Sequence, residues 1–376
     1  MKVLVLGGTG AMGSALVEIL ARRGDEVIVT SRRKRESTRS VKYVQGNAHD
    51  IAFLEELLKQ GFDAVVDFMV YETEELAERL DPLLQSTDQY IFLSSSRVYA
   101  DGCGSITEET PRLLDVSLDK EFLATDVYPL AKAREENLLM RSRCANWTII
   151  RPYITYNVER LQLGILEKEG WLWRALHGRP IVFTGDISDR LTTLTWGMDV
   201  AEVIAGLTGN EGARREVFHI TCGQPIRWDE VLDLYCRVLE EEVGRRPRVL
   251  LIEDSEELRT VSGNRWAIDY DRLYDRTFDN SKVLATAGGH DFTPPLEGLE
   301  KCLREFLRGD KEFRQIDQRY EAWADMVAGE VTPLGQFPTA RKRLSYYLYR
   351  HCGPQWRRHG VDVRQIRADD SRKQWH

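Results

Sequence analysis

The stretch KVLVLGGTGAMGS, residues 2–14, decides the fold of this chain. Its first part is a short apolar run, as expected for a β-strand that is covered on both faces. Three glycines follow at three-residue spacing, and a helical apolar pattern begins immediately after them. Glycines at such a turn let the backbone approach a pyrophosphate, which then lies at the helix N-terminus. The alternative is a turn that needs glycine only for packing. The stretch predicts a dinucleotide-binding loop with contacts from Gly7, Thr9, Gly10, Ala11, Met12 and Gly13.

The second β-rich run ends in TSRRKRES, residues 30–37, which bears on the choice of dinucleotide. An NAD-selective site usually has Asp or Glu here, which accepts hydrogen bonds from the ribose hydroxyls. In this chain no acid occurs before Glu36, whereas a hydroxyl and guanidinium groups can bind a 2′-phosphate. Ser31, Arg32 and Arg33 therefore favour NADP(H) over NAD(H). If these arginines point to solvent, the selectivity is loose.

The ends of the next two strands complete the predicted cofactor site. In GNAHD, residues 46–50, Asn47 and Ala48 are candidates for contacts to the adenine, and Asp50 is a candidate helix cap. Asp67 and Phe68 lie near the end of the run DAVVDFM, residues 63–69, and are candidates for cofactor contacts. Asp67 would line the cofactor cleft, although a purely structural role is equally compatible with the sequence.

Short β-rich runs alternate with helical segments through the first 155 residues, the pattern of βαβ units and a parallel sheet. The predicted fold class is α/β, a Rossmann-type doubly wound parallel sheet with a smaller C-terminal substrate-binding lobe. We expect the sheet domain to contain residues 1–155 and about 195–222. The lobe would comprise 156–194 and 223–306, and residues 307–376 would form a helical, basic C-terminal extension.

Composition limits the class of protein. The 376 residues are 42% hydrophobic and 30% charged, and the net charge of −8 argues against nucleic-acid binding as a main role. No apolar run is long enough to span a membrane. Six scattered cysteines without metal-ligand spacing predict a cytoplasmic protein with free thiols and no metal site. The charge is uneven, since residues 339–376 carry ten Lys and Arg against three Asp. This basic segment is either a solvated tail or a contact for an anionic partner.

The segment TDVYPLAKARE, residues 125–135, holds Tyr128 and Lys132 on one helix face. SSSRVYA, residues 94–100, precedes it at a strand end, and RPYITYN, residues 151–157, follows it. With the glycine loop, this order of motifs resembles the extended short-chain dehydrogenases/reductases, NAD(P)-dependent epimerases and reductases of nucleotide sugars. The resemblance covers roughly residues 1–306. It leans toward an atypical branch because of TSRRKR and VVDFMVYE, residues 65–72.

The resemblance implies roles for individual residues. Tyr128 would be the general acid/base for a sugar hydroxyl, and the ammonium of Lys132 would favour its phenolate and contact the nicotinamide ribose. Ser95 would hydrogen-bond the reacting oxygen, while capping of the strand end is the expected role of Ser94. Pro152 would contact the cofactor, together with Tyr128 and Lys132. The candidates for substrate contacts are Ser96, Arg97 and Arg190; capping for Ser96 and a surface ion pair for Arg190 are the alternatives.

Departures from the family pattern narrow the reaction. Dehydratases of the family place an Asp-Glu pair after the active hydroxyl, where this chain has Ser96 and Arg97, so dehydration is not expected. The resemblance implies hydride transfer on a nucleotide-linked sugar by a 4-keto-sugar reductase or an epimerase, in a homodimer. One alternative is a non-catalytic or RNA-binding relative similar to chloroplast stem-loop-binding proteins. Another is a reductase of small aromatic substrates similar to isoflavone reductases.

Overall fold

The structure is a computed structural model that describes residues 1–102, 104–352 and 363–366, the last four and Ala11 without their side chains. The strands are β1 (Lys2–Leu6), β2 (Glu26–Ser31), β3 (Val41–Gln45), β4 (Phe62–Asp67), β5 (Thr87–Leu93), β6 (Trp147–Pro152), β7 (Ile154–Tyr156), β8 (Ile181–Thr184), β9 (Leu191–Thr192), β10 (Leu194–Trp196), β11 (Glu216–Ile220), β12 (Ile226–Arg227), β13 (Val249–Ile252) and β14 (Val363–Ile366).

The α-helices are α1 (Ala11–Arg23), α2 (Ile51–Leu58), α3 (Thr73–Gln85), α4 (Leu113–Val116), α5 (Lys120–Leu123), α6 (Tyr128–Arg141), α7 (Lys168–Leu176), α8 (Gly185–Ser188), α9 (Gly197–Leu207), α10 (Trp228–Val243), α11 (Glu256–Ser262), α12 (Arg265–Ala267), α13 (Ser281–Ala287), α14 (Pro295–Arg308), α15 (Gln318–Ala328) and α16 (Ala340–Tyr347). Short 3-10 turns cover Ser96–Val98, Glu211–Ala213 and Leu334–Gln336, and π-helical turns cover Ile268–Arg272 and Leu348–Cys352. No helix in the described ranges is long and apolar enough to cross a bilayer.

The chain divides into two compact units. The first contains Met1–Asn157, Thr193–Pro225 and Thr277–Pro295. The second contains Val158–Thr192, Ile226–Arg276 and the C-terminal part of the chain from Leu296. Residues 277–295 thus lie in the first unit, and the described residues beyond 306 lie in the second unit.

The first unit is built on a seven-stranded parallel sheet in the order β11-β6-β5-β4-β1-β2-β3. The order reverses at β1, so the crossover helices cover both faces, and the predicted doubly wound α/β fold is confirmed. Successive side chains of β1 point to opposite faces: Val3 and Val5 pack in one core cluster, and Leu4 and Leu6 in the other. Helices α1 and α9 supply the first cluster, and α2, α3 and α6 supply the second.

The predicted boundaries agree closely with the structure where glycine or a capping side chain ends an element. Helix α1 ends at Gly24, whose φ of 92° is left-handed, and Asp50 caps α2 by accepting from two backbone N–H groups. In the second unit, the sequence alone would suggest Asp229 as the N-cap of α10, because Asp is a common N-cap residue, but the structure has Arg227 there. The helix begins two residues earlier, because the backbone N–H of Arg227 donates to the Glu230 carboxylate at 2.7 Å.

The second unit contains a small sheet in the order β14-β13-β8 and a β12-β9 pair. The C-terminal segment packs within this unit, because Ile316, Phe337 and Tyr346 form a buried cluster with Trp173 of α7. A buried ion pair reinforces the cluster: Arg174 of α7 donates to Glu321 of α15 at 2.7 Å. Part of the predicted basic extension lies outside the described residues.

Candidate active site

Gly7, Gly10 and Gly13 lie in or next to the loop between β1 and α1, and the structure accounts for each of them differently. Gly7 has a φ of 68°, a left-handed conformation that side chains rarely adopt. A Cβ on Gly13 would lie 2.7 Å from the Cα of Gly8, so Gly13 is needed for close packing of the helix on the loop. A Cβ on Gly10 would meet nothing nearer than the Gly7 oxygen at 3.8 Å. The open space at Gly10, at the N-cap of α1, therefore fits the approach of a pyrophosphate.

The remaining loop residues flank this space. Thr9 is exposed, and Met12 is partly buried against the core cluster of α1. Ala11 begins α1, and its side chain lies outside the described part of the structure. Phe68, after β4, lies against the loop, since its Cβ would be 3.4 Å from a Cβ on Gly7.

At the end of β2, Ser31 is engaged in the turn that follows the strand, whereas the next two arginines are exposed. Ser31 is buried and its hydroxyl donates to the Arg33 carbonyl at 2.8 Å, which holds the turn. Arg32 and Arg33 are exposed, and neither has an ion-pair partner among the described residues. Arg35 lies over the Tyr43 ring at 5.8 Å. Among the described residues no carboxylate occupies this strand end, and two exposed guanidinium groups follow it.

At the ends of β3 and β4, the residues predicted to contact the cofactor differ in their exposure. Asn47 is exposed and its side-chain oxygen accepts from the His49 backbone N–H, whereas Ala48 is buried. The Asp67 carboxylate is fully buried and accepts from Tyr71, Tyr90 and the Met69 backbone. Burial raises its pKa, and these three donors oppose the shift. Its side chain has a structural role, which leaves the backbone at this strand end for a cofactor contact.

The three serines after β5 have different partners. Ser94 donates to Glu136 at 2.5 Å, and Ser96 donates to the Arg151 carbonyl at 2.6 Å. Ser95 accepts from the backbone N–H of Arg97 at 3.2 Å. Its own hydroxyl hydrogen has no acceptor among the described residues. Ser95 is thus the member of the stretch that can donate to another molecule, while the hydroxyl of Ser96, predicted to contact substrate, is fully buried and engaged.

Tyr128 is the first residue of α6, and Pro129 follows it in the first turn, where proline is tolerated. Its side chain is 38% exposed, so the phenol is accessible from solvent. The guanidinium of Arg97 lies 5.6 Å from the centre of its ring, a cation–π contact. The 3-10 turn capped by Ser95 packs against α6, which brings the two hydroxyl-bearing segments to the same edge of the sheet.

Lys132 follows Tyr128 by one helical turn, but its side chain is buried. The ammonium lies 2.8 Å from the carboxylate of Glu135, one turn further along α6, and 4.7 Å from the centre of the Phe92 ring. Glu135 was not among the predicted site residues. Its spacing of three residues from Lys132 and seven from Tyr128 was the available signal, because all three positions share one helix face.

A second buried network supports the serine stretch. Arg151 of β6 donates to both carboxylate oxygens of Glu136 at 2.7 Å, and Arg112 donates to the same carboxylate at 3.0 Å. This network fixes α6 against the ends of β5 and β6 and was also not predicted. The neighbouring Pro152 is buried in β6, in register with Ile220 of β11.

Arg190 lies in the second unit and is exposed. The backbone around it is fixed by a hydrogen bond from Trp228 to its carbonyl, whereas the ion pair of this region joins Arg227 to Asp189 at 2.8 Å. The predicted substrate contact of Arg190 stays a prediction. No group of His, Cys, Asp and Glu side chains suited to hold a metal ion occurs in the described part of the chain.

Comparison with family models adds an independent finding. Residues 3–156 match the NAD dependent epimerase/dehydratase family. The resemblance to extended short-chain dehydrogenases/reductases is confirmed for this part of the chain. The matched residues include the glycine loop, the serine stretch, Tyr128 and Lys132, and they end one residue before the first segment of the first unit does.

Two curated relatives match the chain over about 245 residues. The chloroplast stem-loop binding protein of 41 kDa b from Arabidopsis thaliana is 28% identical over 61% of this chain and 60% of the relative. The 2′-dehydrokanamycin reductase of Streptomyces kanamyceticus is 25% identical over 62% of this chain and 65% of the relative. The chain thus spans less than two thirds of the length of these relatives.

Solved structures share the fold. The UDP-glucuronic acid 4-epimerase of Bacillus cereus, in complex with NAD, has 17% sequence identity and a TM-score of 0.59. The superposition covers 82% of this chain and all of that protein. At this identity the likeness shows the fold alone.

Proposed function

We propose that the chain is an NAD(P)-dependent oxidoreductase or epimerase that acts on a nucleotide-linked sugar. The observation that carries this proposal is an accessible phenol, Tyr128, beside a serine turn whose Ser95 hydroxyl is free to donate. Both lie at the edge of a sheet whose first strand ends in a glycine loop with open space at Gly10. The family match over the same residues supports an enzyme of the epimerase/dehydratase type.

NADP(H) is the proposed cofactor. The loop at Gly10 and the N-terminus of α1 would hold its pyrophosphate, and Arg32 and Arg33 would hold a 2′-phosphate. When bound, the nicotinamide supplies or takes up a hydride at the sugar carbon. The NAD complex of the Bacillus cereus epimerase is compatible with a dinucleotide here, and the preference for the phosphorylated form depends on the arginines.

The proton chemistry belongs to the chain itself. In reduction of a keto sugar, the hydroxyl of Tyr128 gives its proton to the carbonyl oxygen as the carbon accepts the hydride. Ser95 donates a hydrogen bond to the same oxygen and stabilises the charge that develops on it. Lys132 contributes a positive charge one turn from Tyr128. Oxidation of a sugar hydroxyl runs through the same groups in reverse.

A 4-keto-sugar reductase is favoured over an epimerase because net reduction uses NADPH. The reductase of Streptomyces kanamyceticus among the relatives is in line with this choice. Epimerisation needs the same residues and also a bound sugar that can rotate, so that its other face meets the nicotinamide. The predicted homodimer, the cytoplasmic location and the contact of Arg190 with a diphosphate remain part of the proposal.

A ligand screen tests the proposed function. Purified protein is incubated with NADP(H) or NAD(H), then with a panel of UDP-, dTDP- and GDP-linked sugars, and its melting temperature is measured. A ligand at 100 times its Kd stabilises by about 2.7 kcal/mol, which is measurable for a protein of this size. Stabilisation by NADPH and by one class of nucleotide sugar is expected. No response to any dinucleotide contradicts the proposal.

RNA binding is a second candidate function, favoured by one surface of the second unit. Helix α16 and the turn after it expose Leu344, Tyr347 and Tyr349, each at least 37% accessible. Arg341 and Arg343 are exposed on the same helix. Basic side chains interleaved with aromatic rings suit a phosphate backbone and unstacked bases. The name of the Arabidopsis relative, a stem-loop binding protein, supports this candidate.

The same purified protein distinguishes the two candidates. Anisotropy of a fluorescent RNA stem-loop is measured at several salt concentrations for the native chain and for Arg341→Ala. An RNA-binding protein loses affinity steeply with salt, and removal of one phosphate contact lowers the slope by about 1. RNA binding without a response to nucleotide sugars selects the second candidate.

A further inference from the structure

The carboxylate of Glu135 is a buried charged group with no role in the proton transfer described above. Its side chain is fully buried on α6, and one of its oxygens lies 2.8 Å from the ammonium of Lys132. Neither carboxylate oxygen has a hydrogen bond to another described group. An isolated buried carboxylate is costly, so its retention beside a buried lysine requires a compensating interaction. The ion pair with Lys132 supplies that interaction.

The groups around this pair come from four segments. Asp67, at the end of β4, faces it through space and accepts from the Tyr90 hydroxyl of β5. Asp126, which precedes α6, adds a negative charge that Arg134 partly neutralises at 2.5 Å. The Phe92 ring of β5 lies under the ammonium. These neighbours of the Lys132–Glu135 pair are either acidic, as Asp67 and Asp126 are, or apolar, as Phe92 is.

In these surroundings the carboxyl group of Glu135 changes its protonation state near neutral pH. Burial raises the pKa of Glu135 to about 7, and the charge of Lys132 limits that rise. In the folded protein the pKa of Glu135 therefore lies above the usual value for a glutamic acid. Its carboxyl group is protonated below about pH 7 and ionised above it. The pair is therefore neutral on the alkaline side and carries one positive charge on the acidic side.

We propose that Glu135 is a positioning residue that holds the Lys132 ammonium and, by taking up or losing a proton, sets the charge that the pair presents to Tyr128. This inference rests on the proposed function, since it assigns a control group to the same proton-transfer site. Lys132 lies one helical turn from Tyr128, and an uncompensated ammonium there favours the phenolate. Ionised Glu135 cancels that charge and favours the phenol, the form that gives a proton in reduction.

The decisive variant is Glu135→Gln, which removes the negative charge and keeps the size of the side chain. Single-turnover hydride transfer to a nucleotide keto sugar is followed by NADPH absorbance from pH 5.5 to 9.5. The native profile should contain an ionisation near pH 7 that E135Q lacks. The alkaline limb of E135Q should lie at lower pH by about one unit, because the fixed anion no longer favours the phenol. Glu121→Gln, the same exchange at an exposed position of α5, is the matched control.

A structural role alone would change the melting temperature and the rate at every pH by a common factor. The proposal is overturned if the E135Q profile, scaled to the same maximum, superimposes on the native one. The variant Glu135→Asp keeps a carboxylate and should keep both the ionisation near neutral pH and the position of the alkaline limb.

A second measurement stands apart from turnover and applies if E135Q fails to fold. The side-chain carboxyl carbons of glutamate are labelled with ¹³C, and the Glu135 signal is identified by its absence from the spectrum of E135D. A titration midpoint near pH 7 supports the inference, and a midpoint near pH 4.5 overturns it. A protein that turns over no nucleotide sugar but shows the midpoint near pH 7 refutes the proposed function and retains the Lys132–Glu135 switch.

Discussion

The proposed preference for NADP(H) depends on individual side chains. Arg32 and Arg33 are exposed at the end of β2, and Ser31 is occupied in holding their turn. A charged hydrogen bond contributes about 1.5–3 kcal/mol, which corresponds to roughly a 10- to 150-fold change in affinity. One such contact to a 2′-phosphate would therefore be enough to produce the cofactor preference that we propose.

The double variant Arg32→Ala/Arg33→Ala tests this selection. We expect its Kd for NADPH to rise at least tenfold and its Kd for NADH to stay within twofold, because NADH has no 2′-phosphate. Nicotinamide fluorescence titration measures both. Arg35→Ala is the control, since that side chain lies over Tyr43. Equal weakening of both cofactors would show that the arginines act only through general charge.

Residue types at fixed spacing made part of this site predictable. The glycine loop, Ser95, Tyr128 and Lys132 lie in short local motifs, and each motif falls at the strand or helix end that the sequence indicated. Glu135 and the bond between Glu136 and Arg151 were not predicted. The second depends on residues fifteen positions apart that meet only when α6 packs on β6, and local spacing carries no signal for such a contact.

At the scale of elements, the glycines between β1 and α1 have different roles. We propose that Gly10 leaves space for a pyrophosphate, whereas Gly13 allows α1 to pack closely on the loop. Open space surrounds a Cβ placed on Gly10, whereas one on Gly13 would collide with the Gly8 backbone. The sequence showed three equivalent glycines. Only the path of the loop distinguishes them, because it depends on how closely α1 approaches the end of β1.

Two matched variants test this distinction. Gly10→Ala should keep the native melting temperature within about 2 °C and weaken NADPH binding at least tenfold, because its methyl group enters the space left for the pyrophosphate. Gly13→Ala should destabilise the fold by about 1–3 kcal/mol through overpacking. Circular dichroism melts and cofactor titration measure the two effects. If Gly10→Ala binds NADPH with native affinity, the loop is a packing motif and no binding site.

The alternating runs in the first 155 residues predicted the order of elements from β1 to β6, and the structure has this order. All of these strands except β3, at the edge of the sheet, are mainly buried runs, which gives a strong local signal. Within the second unit the pairing of β8 with β13 joins residues almost seventy positions apart. A short apolar run shows no preference for a partner, so this pairing could not be inferred.

At the scale of the whole molecule, the C-terminal segment is part of the second unit. Arg174 of α7 is fully buried and contacts both Glu321 and Asp325 of α15, at 2.7 and 3.0 Å. Removal of one partner from a buried ion pair leaves an uncompensated charge, which costs about 3–5 kcal/mol. This ion-pair cluster therefore explains how a polar helix far along the chain packs against a helix near residue 170.

The variant Arg174→Met should lower the unfolding free energy of the second unit by about 3–5 kcal/mol. Urea unfolding followed by tryptophan fluorescence reports on this unit, which contains the buried Trp171, Trp173 and Trp323. Arg308→Met, the same exchange at an exposed ion pair, should leave the transition unchanged. A native transition for Arg174→Met would mean that α15 is held by apolar contacts alone.

The central claim is that Tyr128 transfers the proton during hydride transfer to a nucleotide-linked sugar. Tyr128→Phe removes the hydroxyl and keeps the ring under Arg97. Single-turnover reduction with NADPH deuterated at C4 measures the transfer of deuterium to the sugar, and fluorescence titration measures cofactor binding. We predict that Tyr128→Phe transfers deuterium at least 100-fold more slowly than the native protein while its Kd for NADPH stays within twofold. Transfer at the native rate by Tyr128→Phe would contradict the account.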